Sequence, residues 1–341
     1  MNKEKILVTG GLGFIGSHTV VELQNEGYDV VIIDDLSNSR MEVLDGITSI
    51  TGIRPEFVKM DLKDKQKVLD FFQERKIDGV IHFAASKAVG ESVEQPLKYY
   101  ENNISSLIYL LQAMTENEVK AIIFSSSCTV YGQADELPIT ENAPVKVAES
   151  PYGNTKQIGE EILQDLTKAK EINAISLRYF NPIGAHKSVN IGELPLGVPQ
   201  NLIPFVTQTA AGMRKELSVF GDDYPTPDGT AVRDYIHVVD LAKAHISALK
   251  RLMTGRNKSK MEYFNVGTGQ GSSVLEVIKA FEEVSESKLN YKIVNRREGD
   301  ITAAYADTTM ANEELGWRAE LDLKEALLSA WKWQLKQGTD K

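Results

Sequence analysis

Tyr152 and Lys156 stand four residues apart in the run Tyr152-Gly153-Asn154-Thr155-Lys156, which sets a phenol and an ammonium on one face of a helix. A free phenol titrates near ~10 and is a poor base at neutral pH. A neighbouring cation, or the positive charge of an oxidised nicotinamide, favours the phenolate. Such a pair can take the proton of a sugar or alcohol hydroxyl as hydride leaves the same carbon. Upstream, Ser125-Ser126-Ser127 follows the apolar run Ala121–Phe124. The serines therefore sit at the carboxyl end of a strand, where an open parallel sheet binds its ligands. A hydroxyl there can share the proton or hold the substrate oxygen. Near the start, Thr9-Gly10-Gly11-Leu12-Gly13-Phe14-Ile15-Gly16 satisfies both G-x-x-G-x-x-G and G-x-G-x-x-G. Missing Cβ atoms permit a tight turn and let the backbone approach a pyrophosphate at a helix N-terminus. Asp34, eighteen residues past Gly16, ends the next apolar run. An acid there accepts the adenosine ribose hydroxyls and repels a 2′-phosphate, which favours NAD over NADP; Arg40 nearby weighs the other way. Each piece has a plainer reading, as surface decoration on a helix, a strand-end turn or a tight glycine turn. Their order along one chain is what argues for a redox site.

Positioning these groups needs a strand before each loop. Strand candidates are Lys5–Val8, Asp29–Ile33, Arg54–Lys59, Gly79–Phe83, Ala121–Ser125 and Ala174–Leu177. They are apolar nearly throughout, as suits strands covered on both faces. Between them lie helix candidates Phe14–Glu26, Lys63–Arg75, Glu94–Glu116 and Tyr152–Lys170. The alternation predicts an α/β fold with a doubly wound parallel Rossmann sheet and right-handed crossovers. Residues 181–235 then carry Gly and Pro at short intervals, the texture of ligand-bearing loops on a rigid sheet. A helix (Val238–Leu252), a strand (Met261–Val266), a helix (Val274–Ser285), a strand (Asn290–Val294) and a last helix (Leu323–Gln337) follow. Residues 1–180 are expected to carry the cofactor and the Ser/Tyr/Lys groups. Residues 181–341 are expected to form a smaller α/β region that binds substrate, packed on the first part and interleaved with it.

Lys and Arg total 38 against 48 acidic residues, a net charge of −10 that argues against a nucleic-acid partner. Cys128 is the only cysteine, so no intrachain disulfide forms and a reducing compartment is expected. No apolar run approaches the ~20 residues that span a bilayer. Met1–Lys5 leads straight into a strand and gives no signal-peptide pattern, so no membrane is expected and the cytoplasm is the expected address. His18, His82, His186, His237 and His245 show no metal-ligand spacing, and no metal is expected.

The whole pattern resembles the short-chain dehydrogenase/reductase superfamily, and within its extended nucleotide-sugar branch the UDP-glucose 4-epimerase family. The segments that carry the resemblance are Thr9–His18, His82–Ser92, Phe124–Gly132, Ser150–Lys156, Arg178–Ala185, Asp228–Asp240 and Arg296–Asp300, and it covers essentially the whole chain. It implies tightly bound NAD. The implied cofactor contacts are Gly10, Gly13, Phe14, Ile15, Gly16, Asp34, Asn38, Ser39, Asp61, Leu62, Phe83, Ala84, Lys87, Asn102, Tyr152, Lys156 and Phe180. By similarity Tyr152 takes the proton of the sugar C4 hydroxyl, Ser127 assists, and Lys156 tunes Tyr152 and holds ribose hydroxyls. The 4-keto sugar turns over while its UDP stays anchored. Implied UDP-sugar contacts are Lys87, Ser127, Tyr152, Asn181, Asn201, Leu202, Ser218, Val219, Phe220, Arg233, Arg297, Asp300 and Ala304. Arg233 and Arg297 would clamp the pyrophosphate, a task that suits the guanidinium fork.

Ala85-Ser86, Cys128 and Ala231 depart from common residues of the family in small ways. Ala304 is more informative. Glucose-restricted members place a tyrosine there and dual-specificity members a small residue, so the resemblance implies that UDP-N-acetylhexosamines are also accepted, with Tyr305 available to refill the space. A nucleotide-sugar dehydratase or an ordinary dehydrogenase of the same fold is the alternative. Dehydratases resemble one another in an Asp-Glu pair where this chain has Cys128 and Thr129. The family also implies a homodimer, formed through helices matching Glu94–Glu116 and Tyr152–Lys170.

Overall fold

The computed structural model describes residues 3–297 and 300–339. In chain order the first half runs β1 (Lys5–Thr9), α1 (Phe14–Asn25), β2 (Asp29–Asp34), α2 (Glu42–Thr51), β3 (Glu56–Lys59), α3 (Lys65–Glu74), β4 (Gly79–His82), α4 (Val89–Glu94), α5 (Pro96–Tyr100), α6 (Ser106–Glu116), β5 (Ala121–Ser125), α7 (Pro151–Ala169) and β6 (Asn173–Tyr179). The second half runs β7 (Asn181–Ile183), α8 (Leu202–Ala210), β8 (Leu217–Phe220), β9 (Val232–Arg233), β10 (Tyr235–His237), α9 (Val238–Met253), β11 (Met261–Val266), β12 (Ser272–Ser273), α10 (Val274–Ser285), β13 (Tyr291–Val294), β14 (Ala303–Ala304) and α11 (Leu323–Thr339).

Seven of these strands make one parallel sheet in the order β11-β6-β5-β4-β1-β2-β3. This is the doubly wound Rossmann arrangement. The strand order reverses between β1 and β4, which opens a crevice at their carboxyl ends. Side chains alternate across the sheet with period two. Ile6 and Val8 of β1 pack with α1 and α9 on one face, whereas Leu7 packs with α3 and α6 on the other. Each fully buried Ile or Leu stabilises the fold by roughly 1.5–3 kcal/mol relative to exposure. A third cluster (Ile203, Val206, Leu217, Val219, Val277, Phe281, Leu327) joins α8, β8, α10 and α11 into the smaller region. Among the described residues no helix is long and apolar enough to cross a membrane, and no group of three His, Cys, Asp or Glu is placed to hold a metal ion.

The expected single helix over Glu94–Glu116 is instead three pieces. Gln95 takes φ −130° and ψ 59° ahead of Pro96, which disfavours a helical residue before it. α5 then passes through a π turn at Glu101–Ser105 before α6 begins. α2 has no counterpart among the helix candidates, since its β-branched residues and Gly46 blur a helical pattern. Long-range packing explains it: a Cβ on Gly46 would stand 2.4 Å from the Asn190 carbonyl oxygen, so that loop lies directly on the helix.

Candidate active site

β1 runs into the glycine loop, and Gly10 turns it with φ +68°, a left-handed conformation that favours glycine. The Gly10 N–H donates to the Ile33 carbonyl at 2.7 Å, tying the loop to the end of β2. A Cβ on Gly16 would stand 2.2 Å from the Gly10 carbonyl oxygen. α1 starts after Gly13 with no side-chain cap, so its first N–H groups are free to face an anion. Asp34 is buried and accepts from the Leu12 N–H (3.1 Å), the Leu36 N–H (3.0 Å) and the Ser39 hydroxyl (2.7 Å). A cradle that a methyl group would fill, an uncapped helix end and a carboxylate fixed beside them together fit an adenine dinucleotide. Gly16→Ala is expected to lower the purified protein's cofactor content and to destabilise it by about 1–3 kcal/mol. Absorbance of the released cofactor and a melting curve measure both.

The flanks of this cradle are unequal. Asn38 and Asp61 are exposed, Leu62 is buried, and Phe83 and Ala84 continue β4 with the Ala84 N–H lying close under Gly10. Asn102 reaches the Ser86 hydroxyl (3.3 Å) from the π turn, and Asn103 beside it holds Ser86 through N–H and C=O (2.8 and 3.0 Å) and Thr155 (3.0 Å). The neighbouring Lys87 is exposed and pairs with Glu193 at 3.5 Å, and Glu193 also accepts from the Asn201 amide at 2.7 Å. Glu193 is absent from the expected site because nothing local in the sequence distinguishes it.

α7 opens on a Ser150 cap, whose hydroxyl accepts from the Gly153 N–H at 3.1 Å, with Pro151 in the first turn. Tyr152 and Lys156 are buried on one face of this helix, with the Lys156 ammonium 5.8 Å from the Tyr152 ring centre. Lys156 donates to the Ser125 carbonyl at 2.6 Å, and Ser127 stands near enough to the Tyr152 hydroxyl to favour its charged form. Burial, with Tyr179 nearby, pushes the Tyr152 phenol well above its ordinary range, and Ser127 offsets only part of this. Burial also pulls Lys156 down to about 8, against the opposing charge of Glu160. Desolvation is the largest influence on Tyr152 in the protein alone, and it favours the neutral phenol. Phe180 is buried in a separate cluster with Tyr131, Val130, Ile139 and Ala304, against which Cys128 packs.

At the far end, Arg233 meets Asp300 at 2.9 Å and Arg297 meets the same carboxylate at 3.3 Å, so two cations share one counter-ion. Ala304 of β14 lies in register beside Arg233 of β9 and is 2% exposed. Tyr305 points to the other side of the strand, toward Gly271, so its ring does not fall on the Ala304 side. Asn181 begins β7, Asn201 and Leu202 begin α8, and Ser218 and Phe220 present side chains on β8. Val219 is the exception: its side chain lies in the core, so only its backbone faces outward.

A family model described as GDP-mannose 4,6 dehydratase matches residues 7–329. The UDP-glucose 4-epimerase of Bacillus subtilis (strain 168) is 52% identical over 330 residues, which cover 96% of both chains. Among solved structures, UDP-glucose-4-epimerase from Stenotrophomonas maltophila, with bound NAD and formylated UDP-arabinopyranose, superposes with a TM-score of 0.96 at 49% identity, covering 99% of this chain and 100% of that one. The Bifidobacterium longum enzyme in complex with NAD+ and UDP gives 0.94 at 48% identity over 99% of this chain and 100% of its own.

Proposed function

The chain belongs to the UDP-glucose 4-epimerase family, and from that premise we propose that it interconverts UDP-glucose and UDP-galactose with Tyr152, Ser127 and Lys156 as its catalytic groups. NAD is its cofactor, and when bound it accepts the C4 hydride of the sugar and returns it to the opposite face. The observation that carries this reading is the buried Tyr152–Ser127–Lys156 group at the carboxyl end of β5, one strand from the switch point beside the glycine cradle. Tyr152 takes the C4 hydroxyl proton, Ser127 shares it, and the Lys156 ammonium favours the charged phenol. With NAD bound, Tyr152 would be drawn further toward phenolate by the adjacent positive charge. Asp34 and the free N–H groups of α1 hold the adenosine and pyrophosphate end.

UDP is held tightly and the sugar loosely, because a sugar fixed in one pose could not present both faces. Arg233 and Arg297 fit the pyrophosphate clamp, with Asp300 keeping both guanidinium groups in place. Asn181, Asn201, Leu202, Ser218, Phe220 and the backbone of Val219 serve the sugar and uridine. Lys87 is assigned to the edge shared by sugar and cofactor. The purified protein is incubated with UDP-galactose and no added NAD, and appearance of the glucose epimer is followed. Absence of turnover, with cofactor present in the protein, sinks the proposal.

UDP-N-acetylglucosamine and UDP-N-acetylgalactosamine are further substrates in this reading. The small side chain of Ala304 supports it, and so does the direction of Tyr305, whose ring stands near Gly271. Dehydration is the weaker reading, although a dehydratase names the matching family model. Elimination needs an acid and a base beside the hydroxyl, and here stand Thr129 and a Cys128 thiol that burial pushes up to about 12.

A homodimer belongs to the same proposal. Val89, Val93 and Leu97 are exposed on α4 and α5, with Leu97 at 80%, along helices packed against α7. A second copy would cover this apolar face. Leu97→Asp is expected to convert the dimer to monomer in sedimentation; a monomeric parent protein at the same concentration would remove the proposal.

A further inference from the structure

We propose that Glu160 is a positioning residue for the Tyr152–Ser127–Lys156 group: its buried carboxylate pins Ser126, the middle of the three-serine turn, and faces Lys156 as the counter-charge one helical turn away. The inference rests on the catalytic assignment above and adds a residue to it. Glu160 lies on α7 four residues beyond Lys156 and is 5% exposed. Its carboxylate accepts from the hydroxyls of Ser126 (2.7 Å) and Ser176 (2.8 Å) and from Arg178 through Nε (3.0 Å) and Nη2 (2.7 Å). Arg178 on β6 is anchored in turn, donating to the Tyr131 hydroxyl at 3.0 Å and lying 4.5 Å from the Tyr263 ring centre. Tyr131 donates to Asn265 on β11 at 2.7 Å.

The flanking serines explain why this network matters to the site. The Ser125 carbonyl holds the Lys156 ammonium, and Ser127 stands beside Tyr152, whose charged form it favours. Ser126 between them turns away from the site and is held from behind by Glu160. A shift of Ser126 therefore moves both contacts at once, and sub-ångström placement governs proton transfer. Around Lys156 stand Tyr152 and Glu160 on its own helix, His82 on β4 and the Ser125 carbonyl on β5, while Tyr179 and Arg178 of β6 face Tyr152 and Glu160 in turn. Burial holds His82 neutral, with its pKa pushed down to about 3. Glu160 is the group whose charge opposes the loss of the Lys156 proton. A pair that served only to hold α7 on β6 would need neither the Ser126 bond nor this placement beside Lys156.

Three variants of the NAD-loaded protein test it. Glu160→Gln keeps the shape and removes the charge. The Lys156 ammonium, followed by NMR of isotope-labelled lysine, is expected to titrate about one pH unit lower, and the alkaline limb of kcat to move with it. The sign follows from the loss of a negative neighbour, which makes the cation easier to deprotonate. Ser126→Ala keeps the charge and removes the tether; kcat is expected to fall about tenfold with KM and melting temperature near wild type. A folded Glu160→Gln with an unmoved Lys156 titration, or Ser126→Ala with wild-type kcat, overturns the proposal. Should Glu160→Gln not fold because Arg178 is left unpaired, Ser126→Ala alone decides. Tyr152→Phe runs beside them. If it stays active, the catalytic assignment has failed; if it is dead while the other two behave as wild type, only the role of Glu160 has failed.

Discussion

Tyr152→Phe is expected to yield a folded protein that retains its NAD and has lost turnover by about 10²- to 10⁴-fold, the usual contribution of a positioned acid–base group. The change removes one oxygen from a buried ring. The neighbouring Ser127 accepts from the Thr129 N–H at 3.3 Å, so no buried hydroxyl is stranded and the structural cost is small. The loss falls on kcat, because the phenol acts on the proton in transit and the UDP end supplies most of the binding. Cofactor content is read from the absorbance of the denatured protein, and epimer formation from chromatography without added NAD. Turnover near the parent level would show that another group is the base.

Ala304→Tyr is expected to lower turnover of UDP-N-acetylgalactosamine by about 10- to 100-fold while UDP-galactose changes little, the range that overpacking a filled site costs. The added ring pushes out from the packed cluster of Phe180, Tyr131 and Ile139, beside Arg233 in the register of β14 on β9. A sugar bearing a 2-acetamido group competes for that volume; one bearing a hydroxyl does not. The change in selectivity therefore comes from a clash with one substrate and not from tighter binding of the other. Equal loss for both sugars would mean that the ring disturbs the site at large. A parent protein inert toward the acetylated pair would end the dual-specificity reading.

The strand–helix alternation is readable because each central strand is apolar on both faces, a signal that needs only local residues. Glycines 10, 13 and 16 are equally legible, since their spacing is a local demand of the turn. The proline announces the break at Gln95–Pro96, but the π turn that follows has no comparable mark. α2 is hidden because its stability comes from the 186–191 loop lying across Gly46, far away in sequence. The balance of charge at Tyr152 escapes the sequence for a related reason: spacing reveals the lysine, whereas burial is set by every element packed around α7. Glu160 looks like any helix-surface acid in the sequence. Its partners arrive from β5 and β6, and only the folded sheet brings them behind it.

The sheet is completed late. β11 lies against β6, yet its residues leave the ribosome about eighty positions after β6 has ended. During that interval β6 offers an open row of N–H and C=O groups, a template on which another nascent chain can add a strand. The half-made protein is thus most vulnerable to aggregation and most in need of chaperones while residues 180–260 are being synthesised. A premature stop in that stretch leaves the glycine cradle, Tyr152 and Lys156 all present on a sheet with an unfinished border.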